Sequence, residues 1–267
     1  MKNLISTLMW ICILILYISF LTPKDLVAIL DVGQGDAILI QEGDIQVLVD
    51  GGPDSSILYE LAKFMPVYDR RIEYIVITHT HDDHIVGILD VVNRYEVGEI
   101  LYYPVCFENA NYEFLIQSFP DMRKVGRGET IRLKTFNINI LWPILNKEGR
   151  ECVKSFNGNV NDDSLVLDFE FLNKKFLLMG DIESPVESTL LKEGLISKEY
   201  DILKAGHHCS KTSSSETFIK YVSPSLAVCS VGVENSFGHP SGETLGTYLR
   251  LGVQYLLTSQ KGSIQIK

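Results

Sequence analysis

Basic residues are scarce in this chain: 24 lysines and arginines face 34 aspartates and glutamates, a formal net charge of −10 over 267 residues. The field of the whole molecule repels polyanions, which excludes a non-specific nucleic-acid binder that works through a basic surface. A nuclease is not excluded, because a divalent metal pair or a local lysine reverses the field at a site. The five cysteines, Cys12, Cys106, Cys152, Cys209 and Cys229, form no CxxC and no paired spacing. Neither a thiolate zinc site nor a disulfide framework is therefore expected. No Gly-x-Ser-x-Gly and no Cys–His nucleophile arrangement is present. Gly33-Gln34-Gly35-Asp36 falls short of a dinucleotide fingerprint, because the residues after it alternate like a strand instead of opening a helix. There is no clear internal repeat and no low-complexity tract. Histidine is also rare, six in all, yet three of the six lie within residues 79–84.

That concentration is the most informative feature of the sequence. Thr78-His79-Thr80-His81-Asp82-Asp83-His84 comes directly after Tyr74-Ile75-Val76-Ile77, an apolar run that reads as a buried strand. His79, His81, Asp83 and His84 offer imidazole nitrogens and a carboxylate from one tight loop, a donor set that suits zinc at about 2.0–2.2 Å. A solvated polar loop is the plain alternative, and the rarity of histidine elsewhere argues against it. Asp82 falls out of the alternation and reads as solvated or capping. Two further apolar runs end in ligand-type residues: 176–179 before Gly180-Asp181, and 200–205 before Gly206-His207-His208. Strands far apart in sequence thus deliver donors to one edge of a sheet.

Residues 4–21 are apolar apart from Ser6, Thr7 and Ser19, close to the length of a membrane span. No small-residue cleavage site comes after them, so an uncleaved anchor is expected, with residues 1–24 as anchor and linker and 25–267 as one domain. Lys2 ahead of the run puts the N-terminus inside and the domain outside the cell. Strands are expected over 26–31, 37–41, 45–50, 100–103, 134–141, 164–171, 175–179, 202–205, 226–230, 255–258 and 263–266. Helices are expected over 55–64, 85–95, 112–119, 186–193, 215–221 and 243–251. Strands in two batches with helices between them suggest two sheets packed face to face, helices outside.

The H-x-H-x-D-H loop, the later Gly-Asp and the later Gly-His resemble the metallo-β-lactamase superfamily. Six blocks in one order resemble, more narrowly, the hydrolase domain of ComEC-type competence proteins: Asp31-Val32-Gly33-Gln34-Gly35-Asp36; Asp50-Gly51-Gly52; Ser164-Leu165-Val166-Leu167; Gly180-Asp181-Ile182-Glu183; His207-His208-Cys209-Ser210-Lys211-Thr212-Ser213-Ser214; and Asn235-Ser236-Phe237-Gly238-His239-Pro240. The match runs from about residue 26 to the end. In that family glycine usually stands where this chain has Cys209, and aspartate often where it has His81. The family's multi-helix channel region has no counterpart in these residues.

The resemblance implies an α/β four-layer αββα sandwich, two divalent metal ions (zinc or manganese), and hydrolysis of a phosphodiester, plausibly single-stranded DNA. It implies that His79 and His81 hold one metal, Asp83 and His84 the other, and that Asp181 bridges both. His207 is taken to complete the second position, with His208 its rival. No histidine lies between 85 and 204, so the first position's remaining donor is sought in Asn157-Gly158-Asn159-Val160-Asn161-Asp162-Asp163: Asp162 first, Asn161 second, unless the cluster is only a turn. Asp36 and Asp50 either orient ligand histidines or serve their turns. Ser213-Ser214-Ser215-Glu216 reads as a capping box. Its helix start, with Lys211, would bind an anion. His239 would contact substrate or donate a proton, unless it is a structural turn residue. Asp83, Asp181, His239 and Lys211 are the catalytic candidates. A cell-envelope phosphoesterase and a non-catalytic binding module for DNA or envelope polymer are the rival readings.

Overall fold

The computed structural model describes residues 9–11, 24–145 and 152–267. The anchor expected over residues 4–21 lies outside the described residues except for 9–11, which are helical. Among the described residues no helix is long and apolar enough to cross a membrane.

The domain begins with strands that are apolar on both faces. In β1 (Leu26–Ile29), Val27 and Ile29 face the second sheet while Leu26 and Ala28 face helices. Burial on both sides is why the sequence shows a continuous apolar run and no alternation. β1 pairs antiparallel with β2 (Ile38–Glu42), and β2 with β3 (Ile45–Val49). Helix α1 (Ser56–Phe64) then crosses to β4 (Arg71–Ile77), α2 (Asp82–Arg94) to β5 (Glu96–Tyr102) and α3 (Ala110–Ser118) to β6 (Arg123–Lys124), each strand parallel to the one before.

The second sheet repeats the plan. β7 (Thr130–Arg132), β8 (Asn137–Trp142), β9 (Val166–Phe171) and β10 (Lys174–Leu178) run antiparallel. Helices α4 (Ser184–Lys192), α5 (Glu216–Val222) and α6 (Gly242–Leu251) then lead to the parallel strands β11 (Ile202–Lys204), β12 (Leu226–Cys229) and β13 (Gln254–Leu257). A short α7 (Thr258–Lys261) carries the chain to β14 (Ile264–Ile266), which returns to pair with β1. Each sheet has seven strands.

One apolar layer, including Val49, Val76, Leu101, Leu167, Phe169 and Phe176, fills the space between the sheets. A second seals the first sheet under its helices and a third seals the other sheet under α4, α5 and α6. The αββα layering is as expected. The edge strands β6 and β7, only two and three residues long, add to the expected set.

Two disulfides correct the reading of the cysteines. Cys106 bonds Cys152 and Cys209 bonds Cys229, with Cα atoms 5.0 and 5.5 Å apart. The pairs are 46 and 20 residues apart in sequence and meet through tertiary pairing, which no local spacing reveals. A bridge between Val105 and Val153 aligns the first pair. The second joins the 3-10 turn after β11, Gly206–Cys209, to the end of the neighbouring strand β12.

Parallel strands bring their carboxyl ends to one edge, the place where open α/β sheets build sites. Here both sheets do so at the same end. Close packing of α2 on the loop after β3 fixes the junction: a Cβ on Gly87 would meet the Gly51 carbonyl oxygen at 2.0 Å, and one on Gly51 would meet Ile88 N at 2.6 Å. Because neither residue has a side chain, Gly51 N donates to the His84 carbonyl (2.7 Å) and Gly87 N to the Gly52 carbonyl (2.9 Å).

Candidate metal centre

His79 and His81 occupy an extended segment after β4, while Asp82, Asp83 and His84 form the first turn of α2, with His81 at its N-cap. The change from extended to helical backbone swings His84 back beneath the loop, its ring centroid 4.0 Å from that of His79. The Nε2 of His79 lies 3.2 Å from the Nδ1 of His81 and 3.9 Å from Asp181 Oδ2. The same Asp181 oxygen lies 3.4 Å from His84 Nε2 and 3.3 Å from His208 Nε2. Asp83 Oδ2 completes this second group, 3.3 Å from His208 Nε2 and 4.0 Å from His84 Nε2. Donor atoms of Asp83, His84, Asp181 and His208 all fall within 4.8 Å of one another. Asp181 thus faces both groups.

His208, not the expected His207, joins this cluster. Its side chain is 2% exposed, whereas that of His207 is 24% exposed and rests on Glu183, Nδ1 to Oε1 3.0 Å. The cause is backbone geometry. His207, His208 and Cys209 take φ values of 45°, 52° and 59°, three left-handed residues in succession. That conformation costs roughly 1–2 kcal/mol per non-glycine residue, and it reverses the alternation that a strand end would have given.

Buried carboxylates back the rings of the second group. His84 Nδ1 donates to Asp50 Oδ2 at 2.8 Å, and Asp50 also accepts from Thr78 N (2.8 Å) and Thr78 Oγ1 (2.7 Å). His208 Nδ1 lies 3.3 Å from Asp36 Oδ1, and the other Asp36 oxygen pairs with the fully buried Lys204 ammonium. Lys204 Nζ donates further to the Ala205 carbonyl at 2.9 Å. Asp36 and Asp50 are thus supports that orient histidines. Lys204 was missed in the sequence. The available signal was a lysine closing an otherwise apolar strand, Ile202-Leu203-Lys204.

Four carboxylates, Asp36, Asp50, Asp83 and Asp181, therefore face one ammonium. Burial disfavours the charged form of His84, yet Asp181, Asp50 and Asp83 together hold its pKa well above the usual imidazole range. His208 is likewise raised against burial, by Asp181 and Asp36. Burial alone would raise Asp181, but His208 and His84 hold it well below the ordinary carboxylate range. By contrast, burial and the neighbouring His84 push His79 well down. Such a surplus of buried negative charge calls for cations. His84 Nε2, His208 Nε2 and Asp181 Oδ1 are buried without a hydrogen-bond partner. Orphaned imidazole nitrogens and a carboxylate oxygen converging on one space fit a divalent metal.

An open cleft above the cluster is lined by Gln34, His81, Asp83, Asn161, His207 and His239 among others. Among the described residues, no lysine or arginine lines it. Asp162 is turned away: its carboxylate accepts from Asn157 Nδ2 (2.5 Å) and Glu183 N (2.7 Å). A 3-10 turn over Val160–Asp163 presents its neighbour Asn161 instead, whose Oδ1 has no partner and whose Nδ2 lies 3.3 Å from His207 Nε2. Lys211 is exposed and is not among the residues lining the cleft. The helix start beside it is already occupied, since Glu187 accepts from Ser214 N (2.5 Å) and Ser215 N (2.9 Å), and Ser215 makes no side-chain cap. The expected anion site is therefore filled by a carboxylate of the protein itself. Asp82 accepts from Asn109 and Asn111 at the starting turn of α3. His239 does reach the cleft, 5.3 Å from the His207 ring and stacked at 15° on the exposed Phe237. Burial and the neighbouring His207 and His208 lower its pKa to about 4.

Known proteins resemble this chain in sequence and in fold. The chain is 27% identical over 286 residues to ComE operon protein 3 of Bacillus subtilis, covering 96% of this chain and 35% of the relative. It is 25% identical to competence protein ComA of Neisseria gonorrhoeae, covering 90% of this chain and 32% of that protein. The chain thus spans about a third of the length of these curated relatives. Among solved structures, the metallo-β-lactamase fold protein YhfI from Bacillus subtilis superposes with a TM-score of 0.56 at 13% identity, covering 91% of this chain and 99% of that one. The sequence pattern of the Metallo-beta-lactamase superfamily matches residues 30–233. By sequence across most of its length and by fold, the chain belongs to the metallo-β-lactamase superfamily.

Proposed function

We propose that this protein is a metal-dependent phosphodiesterase that uses a dinuclear centre of zinc or manganese to cleave single-stranded DNA or a related phosphodiester. The observation that carries the proposal is the set of orphaned donors, His84 Nε2, His208 Nε2 and Asp181 Oδ1, buried together at the foot of an open cleft. In this reading His79, His81 and Asp181 hold one metal, and Asp83, His84, Asp181 and His208 hold the other. Metals held there would supply Lewis acidity, activating water near neutral pH and polarising a phosphoryl oxygen.

The protein's own residues do the rest. Asp50 accepts from the Nδ1 of His84, and Asp36 lies 3.3 Å from the Nδ1 of His208, so that each Nε2 faces the cluster. Asn161 offers an amide oxygen at the cleft, in the role first sought in Asp162. His239, with its pKa near 4, is a neutral ring at pH 7. It suits a hydrogen bond to a substrate oxygen and not proton delivery as an acid. With no basic side chain among the described residues that line the cleft, attraction of a phosphate rests on the metals, and binding should show a shallow salt slope.

The competence proteins among the relatives favour DNA as substrate class. The test is an assay of single-stranded DNA, duplex DNA, bis-p-nitrophenyl phosphate and p-nitrophenyl phosphorylcholine with each metal. Cleavage of single strands ahead of duplex is expected. Turnover of the phosphorylcholine ester alone would mark an envelope esterase, and metal binding without any cleavage would mark a binding module. Residues 4–21 are proposed to hold the protein uncleaved in the membrane with its domain outside. An intact mass starting near Thr22 would refute this.

A further inference from the structure

We infer that the Cys209–Cys229 disulfide is a positioning device for the metal ligand His208; the inference rests on the proposed ligand role of that histidine. His208 points into the cluster only because residues 207–209 run through three left-handed conformations, with φ of 45°, 52° and 59°. The turn is tied on its incoming side. A Cβ on Gly206 would meet the Ile182 carbonyl oxygen at 2.5 Å, and His207 N donates to the Gly180 carbonyl at 3.2 Å. On its outgoing side the covalent tie is Cys209, fixed to Cys229 at the end of the adjacent strand β12. The Cys209 carbonyl also accepts from Ser241 N at 2.9 Å.

Glycine adopts a φ near +59° without steric cost, whereas a residue with a side chain does so only when its surroundings over-determine it. At Cys209 the bridge to Cys229 supplies such a restraint. Both cysteines are fully buried beside Tyr248, so the restraint acts on the turn from below and touches neither the cleft nor a substrate.

Two variants of the full-length chain separate this role from a general contribution to stability. In Cys229→Ala the bridge is gone and a non-glycine residue remains at 209. In Cys209→Gly/Cys229→Ala the bridge is equally gone but residue 209 is free to take its φ. Zinc titrated against a chromophoric chelator reads the tighter site. Cys229→Ala is expected to weaken it by about 10–100-fold, the usual loss when support behind a ligand is removed. The double variant is expected to return to within about threefold of the native protein. A Cys106→Ser/Cys152→Ser variant, which loses the other bridge, is expected to keep the tighter site. Native affinity in Cys229→Ala, free thiols at 209 and 229 in the native protein, or equal weakness in the single and double variants would each overturn the inference. If Cys229→Ala does not fold, the double variant decides: near-native zinc affinity supports the inference and weak affinity refutes it. His208→Ala is the arm that tests the underlying reading, since undiminished zinc binding there would show that His208 is no ligand.

Discussion

The two halves of the candidate metal cluster are supported differently. Behind His84 and His208 stand buried carboxylates, Asp50 and Asp36, and behind Asp36 stands the buried ammonium of Lys204. Behind His79, among the described residues, stands only the Thr78 hydroxyl, 3.2 Å from Nδ1, and His81 is a half-buried ring packed edge-on against Phe107 at 5.3 Å. A carboxylate behind an imidazole fixes its orientation and raises its basicity as a ligand, and a hydroxyl or a phenyl ring does neither to the same degree. The protein thus concentrates its buried charge behind one of the two proposed metal positions. The other is left with two lightly held imidazoles, a shared oxygen and the Asn161 amide at the cleft.

The largest effect should come from the group that both halves share. Asp181→Ala is expected to lower phosphodiesterase turnover by at least about a thousandfold, the scale of the several kcal/mol that bound metals supply. It should also remove both metals, as elemental analysis would show. Retention of one metal would mean that the two halves are more independent than the Asp181 geometry suggests.

Stability of the metal-free protein sharpens the contrast. His84→Ala leaves Asp50 buried without its cation and should cost about 3–5 kcal/mol in urea unfolding. His81→Ala removes a half-exposed ring with no carboxylate behind it and should cost less than about 1 kcal/mol. Similar losses would erase the distinction. In the metal-loaded protein, Asp50→Asn should weaken the tighter site by about 10–100-fold, measured by chelator competition, with the second site less affected. His239→Ala should leave both metals in place and lower turnover by about tenfold, as the loss of one neutral hydrogen bond would.

A control lies outside the cluster, where metal should make no difference. Burial pushes the Tyr103 phenol up to about 12, and raises Tyr112, Tyr200 and Tyr248 as well. A group with a raised folded-state pKa contributes stability that is intact below its unfolded value, about 10 for tyrosine, and is lost as pH rises through the folded value. Stability should fall between pH 10 and 12, by the same amount with and without metal. A metal-dependent alkaline limb would show that these tyrosines are not the groups responsible.

Much of this was legible in the residues themselves. Apolar runs ending in His79, Asp181 and the His207-His208 pair marked both the strands and the edge that carries the site, because strand ends and metal chemistry leave composition that is unusual locally. What stayed hidden depended on partners distant in sequence or on single backbone angles. No spacing announces a bond between Cys209 and Cys229, and two adjacent histidines differ only through the left-handed turn that faces His208 inward. Asp162 and Asn161 were likewise indistinguishable until the 3-10 turn set their directions. The Ser-rich helix start read as an open anion site because Glu187, which fills it, lies one helix earlier. Lys204 and Asp36 are 168 residues apart, one in a strand of the second sheet and the other in the loop before β2 of the first, and only the packing of one sheet on the other brings them together.

A dinuclear centre with two unequal positions is the central claim, and one titration reaches it directly. Zinc added to the metal-stripped chain against a competing chelator should bind in two steps, one metal each. The first should be at least about tenfold tighter, given the support behind its ligands, and His81→Ala should abolish only the second. Two equal steps, a single metal, or loss of the tighter step in His81→Ala would contradict it.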